Sequence, residues 1–73
     1  MKISFDDKAD ALYIQFQKGK VKRTIKLEDG ILIDIGKDDK IFGIEILDVK
    51  ERISLKNISK LDYRVPIKVE MGR

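Results

Sequence analysis

Asp34 and Glu45 have the strongest claim to chemistry in this 73-residue chain. Paired carboxylates can hold a hard divalent cation through oxygen or serve as an acid and a base. Each lies in a stretch where apolar and polar residues alternate, so both project to the polar side of a strand. Tyr13 and Thr24 fall in stretches of the same kind and bring hydroxyl donors. Together, Tyr13, Thr24, Asp34 and Glu45 make a candidate polar site. The chain has no His and no Cys, which removes the usual general base near neutral pH and the thiolate nucleophile. No catalytic residue, cofactor or metal is therefore assigned, and Asp34 and Glu45 stand as the metal candidates. The ordinary alternative is an exposed sheet face whose carboxylates pair with Lys22 and Lys26, at ~0–1 kcal/mol per pair.

Two other acidic groups are Asp6, Asp7 and Asp10, and Asp38 with Asp39. Neither follows the spacing of a calcium-binding loop, and Asp in a tight loop ordinarily closes an Asx-turn. Asp10 is expected to cap the turn at Ala9–Ala11. Lys18, Lys20, Lys22, Arg23 and Lys26 form a basic stretch that, as a two-stranded ribbon, could enter a major groove. Lys50, Arg52, Lys56, Lys60 and Arg64 are the better candidates for nucleic-acid contact. The chain carries +3 overall: residues 1–48 hold 9 Lys/Arg against 10 Asp/Glu, and residues 49–73 hold 7 against 3. A basic segment of that size is also what plain solvation produces.

The elements that must position these residues follow from the alternation. Five strands are expected, with Ile3 and Phe5; Leu12, Ile14 and Phe16; Val21, Ile25 and Leu27; Ile31, Ile33 and Ile35; and Phe42, Ile44 and Ile46 on one inner face. Four consecutive hairpins keep that face consistent except at Arg23, which the Lys18-Gly19 turn places opposite Ile14. Asp7–Asp10 pairs Phe5 with Leu12. Lys18-Gly19 pairs Phe16 with Val21 and Leu12 with Ile25. Glu28-Asp29-Gly30, with Gly30 left-handed, pairs Leu27 with Ile31 and Ile25 with Ile33. Lys37–Lys40 pairs Ile35 with Phe42 and Ile33 with Ile44. On the outer face one row then reads Ser4, Tyr13, Thr24, Asp34, Gly43. The next reads Asp6, Ala11, Lys26, Leu32, Glu45, which makes Asp34 and Glu45 diagonal neighbours with Lys26 in reach.

The class is mostly β: a five-stranded antiparallel meander over residues 1–48, with residues 49–73 covering it. Asp48 and Glu51 suggest a capping box. Leu55, Ile58 and Leu61 suggest a short helix near 54–61. Val65, Ile67, Val69 and Met71 alternate as a sixth strand near 64–70, confined to an edge by Pro66. The whole chain is one small domain. With burial gaining about 25 cal/mol per Å² and ordering costing roughly 1.5 kcal/mol per residue, such a domain is marginal. Disulfides and zinc are unavailable to it, so a homodimer is expected. No stretch reads as a membrane span or a secretory signal. The lack of Cys suits a reducing cytoplasm, and an Ile-, Lys- and Glu-rich composition suits a thermophilic source.

Ala9-Asp10-Ala11-Leu12-Tyr13-Ile14, Asp29-Gly30-Ile31, Ile33-Asp34 and Gly43-Ile44-Glu45-Ile46-Leu47-Asp48 are closely similar to the motifs of domain-of-unknown-function family 2283. The resemblance covers about residues 1–48. It implies a small cytoplasmic prokaryotic protein with no catalytic residue to carry over, in a group some of whose members resemble partners of small toxin-like proteins. The chain departs from the family at Gly36-Lys37-Asp38-Asp39-Lys40, where an acidic-Gly turn is usual. The expected function is a non-catalytic protein-interaction module. A nucleic-acid-binding regulator, or a metal or small-ligand site at Asp34 and Glu45, are the alternatives.

Overall fold

The computed structural model describes residues 1–66. Five antiparallel strands form one sheet: β1 (Lys2–Asp6), β2 (Ala11–Gln15), β3 (Arg23–Glu28), β4 (Ile31–Ile35) and β5 (Ile41–Leu47). Two single-turn helices follow, α1 (Val49–Arg52) and α2 (Leu55–Ile58). The mostly-β class and the five strands are as the alternation predicts. No helix among the described residues is long and apolar enough to cross a membrane.

The strand order is β1-β2-β5-β4-β3, which corrects one expected hairpin. β1–β2 is a hairpin and β3–β4–β5 is a meander, but β2 pairs with β5 and not with β3. Lys18-Gly19 is therefore part of a crossover, not a two-residue turn. The crossover passes the loop between β4 and β5, where Phe16 N–H donates to the Phe42 carbonyl at 2.7 Å and Lys22 N–H to the Ile35 carbonyl at 2.8 Å. The Phe42 ring packs so closely on Gly19 and Gly36 that a Cβ at either would overlap it. Phe42 is buried, and this plug of aromatic on glycine is what the short-turn reading lacks. Pairing β2 with β5 satisfies the apolar face better, since Ile14 meets Ile44 where the expected turn set it against Arg23.

The other pairings keep their predicted partners with two local shifts. Ile3 opposes Ile14, Ile25 opposes Ile33, and Ile33 opposes Ile44. Glu28, not Leu27, faces Ile31 across a bulge, and Gly30 takes a left-handed φ of 79° as expected. Ile35 faces Ile41, not Phe42, across a second bulge. In the loop between them Asp38 and Asp39 both have positive φ, a conformation that Asp tolerates better than most residues.

The result is a continuous inner row of five isoleucines: Ile3, Ile14, Ile44, Ile33 and Ile25. At the β1 end, Ile53, Ile58 and Leu61 line a depression with Ile3, Leu12 and Ile14, where Ile3 stays 41% exposed and Leu61 72%. At the β3 end Ile25 remains 40% exposed and the adjacent Leu27 60%. The buried apolar residues of the described chain are Ile35, Phe42 and Val49.

α1 starts where the expected box put a helix N-terminus, at Asp48, but the cap itself differs. Asp48 is left-handed, with φ of 52°, and its side chain caps nothing. Asp10, from the β1–β2 turn, does the work instead. Its carbonyl accepts from Val49 N–H at 3.1 Å and its carboxylate from Lys50 N–H at 3.0 Å. Ser54 is the N-cap of α2, which is shorter than the expected span 54–61. Residues 64–66 form no strand, and the rest of the expected sixth strand, 67–70, lies outside the described residues.

Candidate functional site

The outer face of the sheet carries two rows, set by register. One is Lys2, Gln15, Gly43, Asp34 and Thr24; the other is Ser4, Tyr13, Glu45, Leu32 and Lys26. Both differ from the expected rows, because β5 now lies between β2 and β4. The four polar candidates nevertheless meet. Tyr13 hydroxyl donates to Asp34 Oδ2 at 2.9 Å, and Thr24 hydroxyl donates to Asp34 Oδ1 at 2.8 Å. Glu45 sits directly opposite Tyr13.

Tyr13 and Asp34 stand on strands separated by β5, so the phenol must lie across β5. Gly43 makes the room. A Cβ there would overlap the Tyr13 phenol and come within 2.9 Å of the Ile14 carbonyl. A glycine inside an alternating strand signals close approach of this kind, and the sequence therefore held the clue to the Tyr13–Asp34 contact.

The hydrogen bond to Asp34 raises the Tyr13 pKa above the ordinary tyrosine value. Partial burial raises it further, as do the charges of Asp34 and then Glu45. A phenol so placed keeps its proton and acts as a donor, neither base nor nucleophile. Asp34 accepts one hydroxyl on each carboxylate oxygen, and each oxygen keeps a second lone pair. The expected reach of Lys26 to this site is not used: its ammonium lies 3.7 Å from Asp29. Among the described residues no group of three or more His, Cys, Asp or Glu is placed to hold a metal ion. Glu45 and Tyr13 also edge an open depression with Ser4, Asp6, Ala9 and Ala11. Asp6 there accepts from Lys8 and Ala9 N–H, both at 3.0 Å, an Asx-type closure.

The basic C-terminal candidates are largely engaged with the fold. Lys50 ammonium lies 3.0 Å from Asp7, which raises its pKa. Arg52 clasps the foot of the sheet: Nε donates to the Leu47 carbonyl at 3.0 Å and Nη2 to the Asp29 carbonyl at 2.8 Å. Its guanidinium lies against Gly30, where a Cβ would collide with it. Arg64 forks onto Asp62 at 2.9 Å. Lys56 lies in α2 and Lys60 just beyond it. Arg52 and Asp10 were not singled out for these roles, since no local pattern marks a side chain that reaches back to a distant turn.

A five-stranded antiparallel sheet with a tyrosine–aspartate bridge over a glycine, and two helical turns at its foot, defines a small β-sheet domain. The chain belongs to the family of proteins of unknown function DUF2283, whose model matches residues 2–50. A protein of Methanosarcina mazei named "Putative hypoxanthine phosphoribosyltransferase" is 35% identical over 74 residues, covering 94% of this chain and 59% of that protein. The chain thus spans less than two thirds of that relative's length. No solved structure matches.

Proposed function

We propose that this chain is a non-catalytic, cytoplasmic protein-interaction module that works as a homodimer, a second copy covering the open part of its inner face. The observation that carries this reading is the isoleucine row, which stays 41% exposed at Ile3 and 40% exposed at Ile25. Full burial of one such side chain is worth about 1.5–3 kcal/mol relative to exposure. Ile25, Leu27, Leu55 and Leu61 all stay exposed, in a chain too short to forgo that stabilisation. The outer face supports the non-catalytic half: Tyr13 and Thr24 both donate to Asp34, and the bond to Asp34 makes Tyr13 hold its proton more tightly than usual.

The family resemblance adds a small toxin-like protein as a candidate partner. A nucleic-acid role draws on Lys56, Lys60 and the exposed Arg64 more than on Lys50 and Arg52, which reach Asp7 and the Leu47 and Asp29 carbonyls. A metal role at Asp34 and Glu45 has only these two carboxylates to draw on, with no third acidic ligand grouped with them among the described residues. The name of the Methanosarcina mazei relative suggests purine and phosphoribosyl chemistry; we give this little weight, because the polar site offers carboxylates where a phosphate needs cations. Solution mass is the test, run on the wild type and Ile25→Asp. The reading expects a wild-type dimer and a folded monomeric variant. A wild-type monomer overturns it.

A further inference from the structure

The two edges of the sheet differ. Beside β1, the chain's own Leu61 and Tyr63 line a depression with Met1 and Ile3. At the other edge all six residues of β3 are exposed, against four of five in β1, so charge more than exposure sets the two apart. An edge strand presents unpaired N–H and C=O groups along its length, a template for another strand. Approaching this edge, residues 18–26 carry Lys18, Lys20, Lys22, Arg23 and Lys26 and no acid. Because β2 does not pair with β3, this stretch is not a two-stranded ribbon. It is a crossover running into an outer edge. Arg23 lies 3.2 Å from Asp39 and Lys26 3.7 Å from Asp29, with all four side chains mostly exposed. Such pairs exchange readily, at ~0–1 kcal/mol each.

We propose that β3 is a docking edge for an extended segment of a partner protein whose side chains alternate apolar and acidic, added as a sixth strand. This rests on the interaction-module reading and names the chemistry of the partner. Backbone pairing supplies affinity and the alternating side chains supply specificity. The apolar residues of the guest lie beside Ile25 on the inner face and extend the isoleucine row. The acidic ones lie beside Thr24 and Lys26 on the outer face, with Lys22 at the strand's entrance. A second copy of β3 would bring the same cations to the same edge and be repelled. A nucleic-acid backbone would match the charge but leave Ile25 and the edge amides unused.

The test uses a labelled peptide of about eight residues, the length of an ordinary strand, alternating valine and glutamate. Binding is followed by fluorescence anisotropy and by backbone amide shifts in the full chain. The proposal expects saturable binding with shifts concentrated on residues 23–28. It expects about a ten-fold loss in Lys22→Glu/Lys26→Glu, whose melting temperature is unchanged. A peptide of the same charge, N-methylated at alternate residues, must also bind about ten-fold more weakly, because it cannot form a ladder. Equal binding of the N-methylated peptide, displacement by a short oligonucleotide, or no binding up to about 1 mM each overturn the proposal. The solution mass is measured on the same samples. A dimer that ignores the peptide loses the docking edge alone, whereas a monomer that binds it loses the homodimer alone.

Discussion

Tyr13 hydroxyl donates to Asp34 Oδ2 at 2.9 Å from two strands away, over the bare backbone of Gly43. The bridge ties β2, β5 and β4 together on the outer face, at the middle of the strand order. Hydrogen bonds to charged groups contribute about 1.5–3 kcal/mol when buried, and this one is only part-buried. Tyr13→Phe should therefore lower stability by about 1 kcal/mol in urea denaturation. The pH dependence has a definite sign. The folded chain holds the Tyr13 proton more tightly than the unfolded chain, whose phenol titrates at about 10. The stabilisation is complete below that value and is lost as pH rises through the higher folded value. Stability of the wild type should fall more steeply than that of Tyr13→Phe on the alkaline side. Lys50, also raised, contributes in the same direction in both proteins and cancels in the comparison. Parallel alkaline limbs would contradict the bridge.

Gly43→Ala should cost about 1–3 kcal/mol by overpacking and displace the phenol from Asp34. The cost should shrink in a Tyr13→Ala background, where the Cβ meets no ring. A double-mutant cycle reads this as a coupling of about 0.5–3 kcal/mol. Additive effects would place the cost of Gly43→Ala in the strand backbone and not against Tyr13.

Ile33 lies at the centre of the isoleucine row, between Ile25 and Ile44. Ile33→Asp should put an uncompensated carboxylate into that row and cost several kcal/mol, most of what a small domain has. Leu32→Asp falls on the outer face between Lys26 and Glu45, where attraction and repulsion oppose each other. It should cost under about 1 kcal/mol. Circular dichroism melting of the two variants checks this, and equal destabilisation would contradict the assignment of faces.

Alternation made the strands, the inner face and three of the four sheet pairings legible, because each follows from a period of two and a turn of known length. The site residues Tyr13, Thr24, Asp34 and Glu45 were legible for the same reason. Their contacts were not. Placing β5 between β2 and β4 turns Tyr13 from a neighbour of Thr24 into a bridge to Asp34, and the sequence signal for that was Gly43. The crossover at Gly19 was hidden because Lys18-Gly19 is also a good tight turn. Asp10 and Arg52 act at a distance in sequence, on Lys50 N–H and on the Asp29 carbonyl, where no periodicity reaches.

Asp34→Asn/Glu45→Gln should fold and lose about as much stability as Tyr13→Phe, about 1 kcal/mol, because the amide keeps the shape but weakens the bonds from Tyr13 and Thr24. Addition of Mg²⁺, Mn²⁺ or Ca²⁺ should move neither melting temperature. A metal-dependent rise in the wild type alone would raise the metal reading above the interaction module.

The mass of the full chain in solution, by light scattering across the micromolar range, bears most directly on the central claim. A second copy on the open inner face predicts twice the 8.5 kDa chain mass, with a shift toward monomer on dilution. Ile25→Asp should be monomeric at every concentration yet keep its β-sheet circular dichroism, because Ile25 is already 40% exposed in the single chain. A wild-type mass of one chain throughout the range, or an Ile25→Asp variant as dimeric as the wild type, would contradict the account.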